Sequence, residues 1–266
     1  MRGITRDTVV ELVDRKFIWL FGIITLFTCG IIALIGQSDF QLQMQTQGEI
    51  NPGETMQSLL NEAVVRGLES YSGFLLFLAM VATAGLLPRM LERGRADFYL
   101  SKPLSRMGLL YSKLGAMWLV YGLMLIVCTG IPAALTYMIF EAPGIHFVYM
   151  IVFDLLLLAI WLSITSFMGV LSTSTVMAIV TAVIVYFVQL LLPLREKLYL
   201  VFESSLLKGV LDGLYYILPK TSQISDITLS LVLQREVDTW MPLWSSLLFA
   251  AVLFFAAGIV IKRKDY

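Results

Sequence analysis

Apolar and polar stretches alternate along this chain, and six of the apolar stretches are long. They run Phe17–Ile35, Ser72–Leu87, Leu114–Phe140, Phe147–Val170, Val176–Leu194 and Trp240–Ile261. A bilayer core takes roughly 20 apolar residues of helix, so the pattern predicts six transmembrane helices. The first run carries no charge, and the second is short and closed by Pro88. Pro132 predicts a kink in the third, because proline removes an internal hydrogen bond. Trp240 and Trp244 mark one end of the sixth, where the membrane interface favours tryptophan.

The polar stretches have patterns of their own. Val9, Val10, Val13 and Phe17 recur at helical spacing while Asp7, Glu11 and Asp14 face elsewhere. This predicts an amphipathic helix over 1–16 that lies in the interface. The same residues lack the apolar core of a cleavable leader, so the first run is expected to remain as a span. Gly36–Ser70 is Gln-rich and holds an Asn-Pro-Gly turn signal before a helix-like stretch, Met56–Leu68. In Arg195–Thr239, an apolar stripe of Leu207, Val210, Leu211, Leu214, Tyr215 and Leu218 is interrupted by Lys208 and Asp212, with Glu203 nearby. Those charges are too many for a lipid-exposed span. Pro219 should end this helix, and Ser222 or Ser225 should cap a second one. The expected fold class is an all-α polytopic membrane protein in one domain, 1–266. Its parts are six transmembrane helices, the N-terminal interfacial helix, and a helical outer segment at 195–239.

Composition strengthens that reading. Hydrophobic residues make up 58% and charged residues 14% of the 266, against about 25% charged in soluble domains. The formal net charge of zero points to no nucleic-acid partner. Cys29 and Cys128 both fall in apolar runs, where cysteine acts as a small hydrophobe, so neither a disulfide nor a metal site is expected. The single histidine, His146, sits in a short loop, and one histidine cannot build a metal cage. Thirteen of the 19 Lys and Arg residues fall in the N-terminal tail, the C-terminal tail and the segment 88–113. By the positive-inside rule both termini and that segment should be cytoplasmic, in a multi-pass protein of a cell's inner membrane.

Two features carry candidate chemistry. Asp154 is the one charge well inside a span, about two turns into the fourth. A carboxylate in hydrocarbon costs a few kcal/mol on insertion scales, so it should face the bundle interior, a partner or water. It reads either as a polar point on a translocation path or subunit contact, or as a hydrogen-bond acceptor for Ser or Thr on a neighbouring helix. The second feature is the hinge Pro88–Lys113, PRMLERGRADFYLSKPLSRMGLLYSK, which carries six Lys and Arg among two acids. A charged cluster is followed there by an apolar–polar run and a new helix, with Pro103 a favourable starter and Lys102 or Ser101 at the cap. Such a segment presents both charge signs for docking another protein. No G-x-x-x-x-G-K-[ST], H-E-x-x-H or G-x-S-x-G occurs, so no catalytic residue is expected in this chain.

The hinge resembles that of type-2 ABC exporter permeases. Their pattern is roughly Glu-x-Gly-Thr, then Leu-Leu-x-x-Pro-x-Ser-Arg, then Gly-Lys. This chain has Glu92-Arg93-Gly94-Arg95, Tyr99-Leu100-Ser101-Lys102-Pro103-Leu104-Ser105-Arg106 and Ser112-Lys113. It departs from the pattern at Arg95, Tyr99 and Ser112. The six-span plan, the leading helix, the long last outer loop with YYILPK and the tail IKRKDY are similar too.

The resemblance implies a permease subunit that pairs with a second permease copy, as a homodimer or heterodimer, and docks two copies of a separate ABC ATPase. ATP and Mg would sit on that partner, with no cofactor in this chain. Glu92, Arg93, Gly94, Arg95, Asp97, Lys102, Pro103, Ser105 and Arg106 would be the ATPase-coupling residues. Gly115, Gly122, Gly130 and Gly169 could let helices approach closely. The likeness extends to permeases that mature periplasmic copper enzymes, for which Met44 and Met56 would be soft ligands; ordinary packing is the plainer reading of both. A non-transporting membrane anchor or assembly factor for a periplasmic or membrane complex is the alternative. An intramembrane enzyme is disfavoured, because the spans hold no paired catalytic set.

Overall fold

A computed structural model describes residues 17–36, 56–91, 105–140, 144–192 and 205–263. Among these residues the secondary structure is helical throughout, without strands. The helices are α1 (Phe17–Ile35), α2 (Met56–Ala84), α3 (Leu86–Met90), α4 (Arg106–Phe140), α5 (Phe147–Ser172), α6 (Thr175–Leu191), α7 (Ser205–Ile217), α8 (Thr221–Val232) and α9 (Met241–Arg263). The expected interfacial helix over 1–16 lies outside the described residues, as do Met44 and most of the Gln-rich stretch.

Five segments are long and apolar enough to cross a membrane: α1, Asn61–Met90, α4, α5 and α9. These mark a helical membrane protein. The remaining expected span, Val176–Leu194, is α6, apolar but only 17 residues long. At 1.5 Å per residue it reaches about 26 Å, short of a bilayer core of about 30 Å.

Several expected boundaries move. The helix-like stretch from Met56 and the second span are one 29-residue helix, because neither Arg66 nor Glu69 breaks helical geometry. Pro88 does not close that span. The break comes earlier, at Gly85, and Pro88 sits inside α3, in whose first turn a missing N–H costs nothing. The third span starts eight residues before Leu114, at Arg106. Arg106 and Lys113 are therefore helical, and Lys113 is buried. The loop proper is thus shorter than Pro88–Lys113. The second short helix begins at Thr221, with Lys220 at the cap position and no side-chain cap, so neither Ser222 nor Ser225 has the capping role.

The centre of the bundle is α5, which packs against α2, α4, α6, α8 and α9. Its apolar residues are buried on several sides, as expected of a helix with little polar face. By contrast, α1 and α9 leave most of their surface outward, with Trp19, Leu26 and Phe27 on α1 and Leu248, Val252 and Phe255 on α9 exposed. On a membrane helix such residues face lipid or another membrane helix. Among the four glycines expected to permit close approach, Gly122 and Gly169 do so. A Cβ on Gly169 would lie 3.1 Å from Pro88 Cδ, and one on Gly122 2.9 Å from Leu155 Cδ2. Gly115 faces open space, and Gly130 is 3.9 Å from its nearest neighbour.

Helix direction alternates. One apolar cluster joins Ile32 of α1, Val65 and Leu68 of α2, Phe140 of α4, Phe147 of α5 and Val232 of α8. The start of α1, the α2–α3 junction, the start of α4 and the end of α5 therefore lie at the other end. Gly85 against Thr175 brings the start of α6 there, and Tyr111 against Gly258 brings the end of α9. Phe17, Leu91, Leu109, Leu110, Val170 and Ile261 belong to one apolar cluster.

Candidate functional site

Two of the nine hinge residues singled out by sequence, Ser105 and Arg106, are described. Glu92, Arg93, Gly94, Arg95, Asp97, Lys102 and Pro103 lie outside the described residues. Ser105 Oγ accepts from the Gly108 N–H at 3.1 Å, and the Ser105 carbonyl accepts from the Leu109 N–H at 2.9 Å. Ser105 is thus the N-cap of α4, a role worth about 1 kcal/mol. The short helix expected from Pro103, parallel to the membrane with its cap at Ser101 or Lys102, lies outside the described residues. Arg106 opens the helix, partly buried. On the other side, Leu91 closes α3, its N–H bonded to the Leu87 and Pro88 carbonyls. Both roots of the hinge are therefore fixed in the same apolar cluster.

Asp154 lies on the inward face of α5 and is 3% exposed. Each of its oxygens accepts one hydroxyl: Ser72 of α2 donates to Oδ1 at 3.0 Å, and Thr129 of α4 donates to Oδ2 at 3.2 Å. The carboxylate thus joins three helices and is satisfied within one chain. Ser72 and Thr129 are neighbouring-helix donors of the kind named in the hydrogen-bond reading.

A second polar contact lies beside it, one residue along both α2 and α4. Pro132 has no N–H, so the Cys128 carbonyl four residues earlier loses its helical donor. The Tyr71 hydroxyl supplies the missing donor at 3.0 Å. Thr25 Oγ1 of α1 lies 2.7 Å from the same phenol and 2.8 Å from the Phe21 carbonyl. Together the two contacts tie α1, α2, α4 and α5 across the middle of the bundle. Sequence reasoning missed Tyr71 and Thr25. The signal available was Pro132, which announces an orphan carbonyl at Cys128 but not the group that satisfies it.

Near the end of the bundle away from the hinge, Glu62 Oε1 accepts from Arg66 Nε at 3.0 Å and Nη2 at 2.8 Å. Glu62 also pairs with Arg235, just past α8. These exposed pairs are individually worth about 0–1 kcal/mol, but they connect α8 to the N-terminal part of α2. Gln234 takes a left-handed φ of 56° here, and the Arg235 N–H reaches back to the Ser230 carbonyl at 2.7 Å, closing the helix. His146 ends a 3-10 turn, with its ring 6.0 Å from that of Tyr149. Cys29 and Cys128 are both free.

No protein-family model matches the chain, and no curated protein matches its sequence.

Proposed function

We propose that this chain is the membrane subunit of an ABC-type exporter, driven by ATP hydrolysis on a separate subunit docked at residues 92–106. The observation that carries the reading is the way the hinge is rooted. Residues 92–104, charged with both signs, connect Leu91 to Ser105, and the helices on either side both contribute to one apolar cluster with Phe17 and Ile261. A push on such a segment is delivered to α2–α3 and α4 together, and the Tyr71 and Asp154 contacts link those helices to α1 and α5. The basic end of α9, Lys262 and Arg263, is at the same end of the bundle. Exported substrate or mechanical work would follow from the relative movement of two such subunits.

The test is co-purification. Arg93→Glu combined with Arg106→Glu reverses charge on the proposed docking segment. An ATPase that co-purifies with the wild-type chain should be lost from this variant, with membrane insertion unchanged. Equal recovery of the ATPase would refute the docking assignment. A wild-type chain that brings down only a non-ATPase membrane protein would favour the anchor or assembly factor.

A further inference from the structure

Away from the hinge, α7, α8 and the start of α9 line an open cavity of about 370 Å³, within the range that holds small ligands. Its polar walls are unlike each other. Lys220 is 6% exposed; its Nζ donates to Ser245 Oγ at 3.3 Å and lies 4.7 Å from the centre of the Tyr215 ring and 5.9 Å from that of Tyr216. Among the described residues no carboxylate comes within ion-pair distance of this ammonium. Asp226 and Asp238 line the same cavity at exposed positions. Partial burial pushes the Asp226 carboxyl up from its ordinary value, and the charge of Arg66 offsets part of this.

A buried ammonium without a counter-charge is costly, and an anion placed against it recovers that cost. The two rim carboxylates, Asp226 and Asp238, can accept hydrogen bonds from a ligand's ammonium. One ligand suits both if it is zwitterionic, with its anion inward and its ammonium outward. The surroundings favour a lipid. Tyr216 and Met241 line the cavity and are exposed, and the exposed Trp240 and Trp244 stand at the start of α9, a helix long enough to span. Amphipathic aromatic rings at a span's end sit at headgroup level.

We propose that this cavity binds the head of a zwitterionic phospholipid, with phosphate against Lys220, ammonium against Asp226 and Asp238, and acyl chains over Ile217, Met241 and Trp244. The site does not depend on the chain being an exporter subunit. Beside the cavity the backbone N–H of Lys220 donates to Ser246 Oγ at 2.8 Å, which ties the start of α8 to α9.

The experiment is native mass spectrometry of the delipidated full chain in detergent. It would be titrated separately with dihexanoyl phosphatidylethanolamine, dihexanoyl phosphatidylglycerol and free phosphoethanolamine. The ethanolamine lipid should bind about tenfold more tightly than the glycerol lipid, a difference set by the ammonium. Asp226→Asn with Asp238→Asn, both at exposed positions, should abolish that preference, and Lys220→Met should weaken both lipids. Equal binding of the two lipids, or a preference that survives the double Asn variant, would overturn the proposal. Free phosphoethanolamine binding as tightly as the lipid would overturn the lipid assignment in favour of a soluble zwitterion.

Discussion

Asp154 shows how little a buried charge says by itself. An unpaired carboxylate at this depth would be costly, yet two hydroxyls from two other helices satisfy it, one per oxygen. Removing the donors should therefore hurt more than removing the acid. Ser72→Ala with Thr129→Val strands a buried acceptor, at about 1–3 kcal/mol. Asp154→Leu leaves two hydroxyls that can turn back onto carbonyls of their own helices, as Thr25, Thr83 and Thr136 already do. Thermal unfolding in detergent should thus rank the double donor variant below Asp154→Leu, with both below wild type. The reverse order would mean that the carboxylate does more than accept these two bonds.

At the scale of the helix, the most informative element is α4, with 35 residues and a proline inside. Pro132 opens a gap in the hydrogen-bond ladder, and Tyr71 fills it from α2. Tyr71→Phe should therefore cost about 1–3 kcal/mol by leaving the Cys128 carbonyl bare. Pro132→Ala restores a backbone donor, so it should reduce that cost when the two changes are combined. A double-mutant cycle on thermal stability reads this directly, and additive losses would show that the phenol and the proline act independently. The α5–α6 junction is another local device. Thr173 adopts a left-handed φ of 52°, and Ser174 Oγ accepts from the Met177 N–H at 3.4 Å. This two-residue turn reverses the chain tightly enough to bring Thr175 against Gly85.

Across the whole molecule, alternation of the helices gathers the first residues of α1, both roots of the hinge and the last residues of α9 at one end. The proposed function requires this end to be the cytoplasmic one, the side that the excess of Lys and Arg in those tails and in 88–113 favours. Single cysteines at Gly3, Gly94 and Lys264, in a chain with Cys29 and Cys128 replaced by Ala, should all react with an impermeant maleimide from the cytoplasmic face. Labelling of Gly94 from the opposite face would separate the hinge from the termini and remove the basis for docking an ATPase there.

The helical class and the apolar character of the spans were legible in the order of residues. Each depends on local composition or on helix periodicity. The charge pattern of the hinge and the lone intramembrane acid were legible for the same reason. Helix ends were less so. The continuity of α2 through Arg66 and Glu69, the start of α4 at Arg106 and the burial of Lys113 depend on neighbours far along the chain. The partners of Asp154 are 82 and 25 residues away, and Tyr71 meets a carbonyl 57 residues on. The cavity beside Lys220 exists only because α7, α8 and α9 converge. Sequence by itself determined which groups would need partners in an apolar bundle; tertiary structure alone decided which groups those partners are, because helix packing brings together residues with no pattern in common.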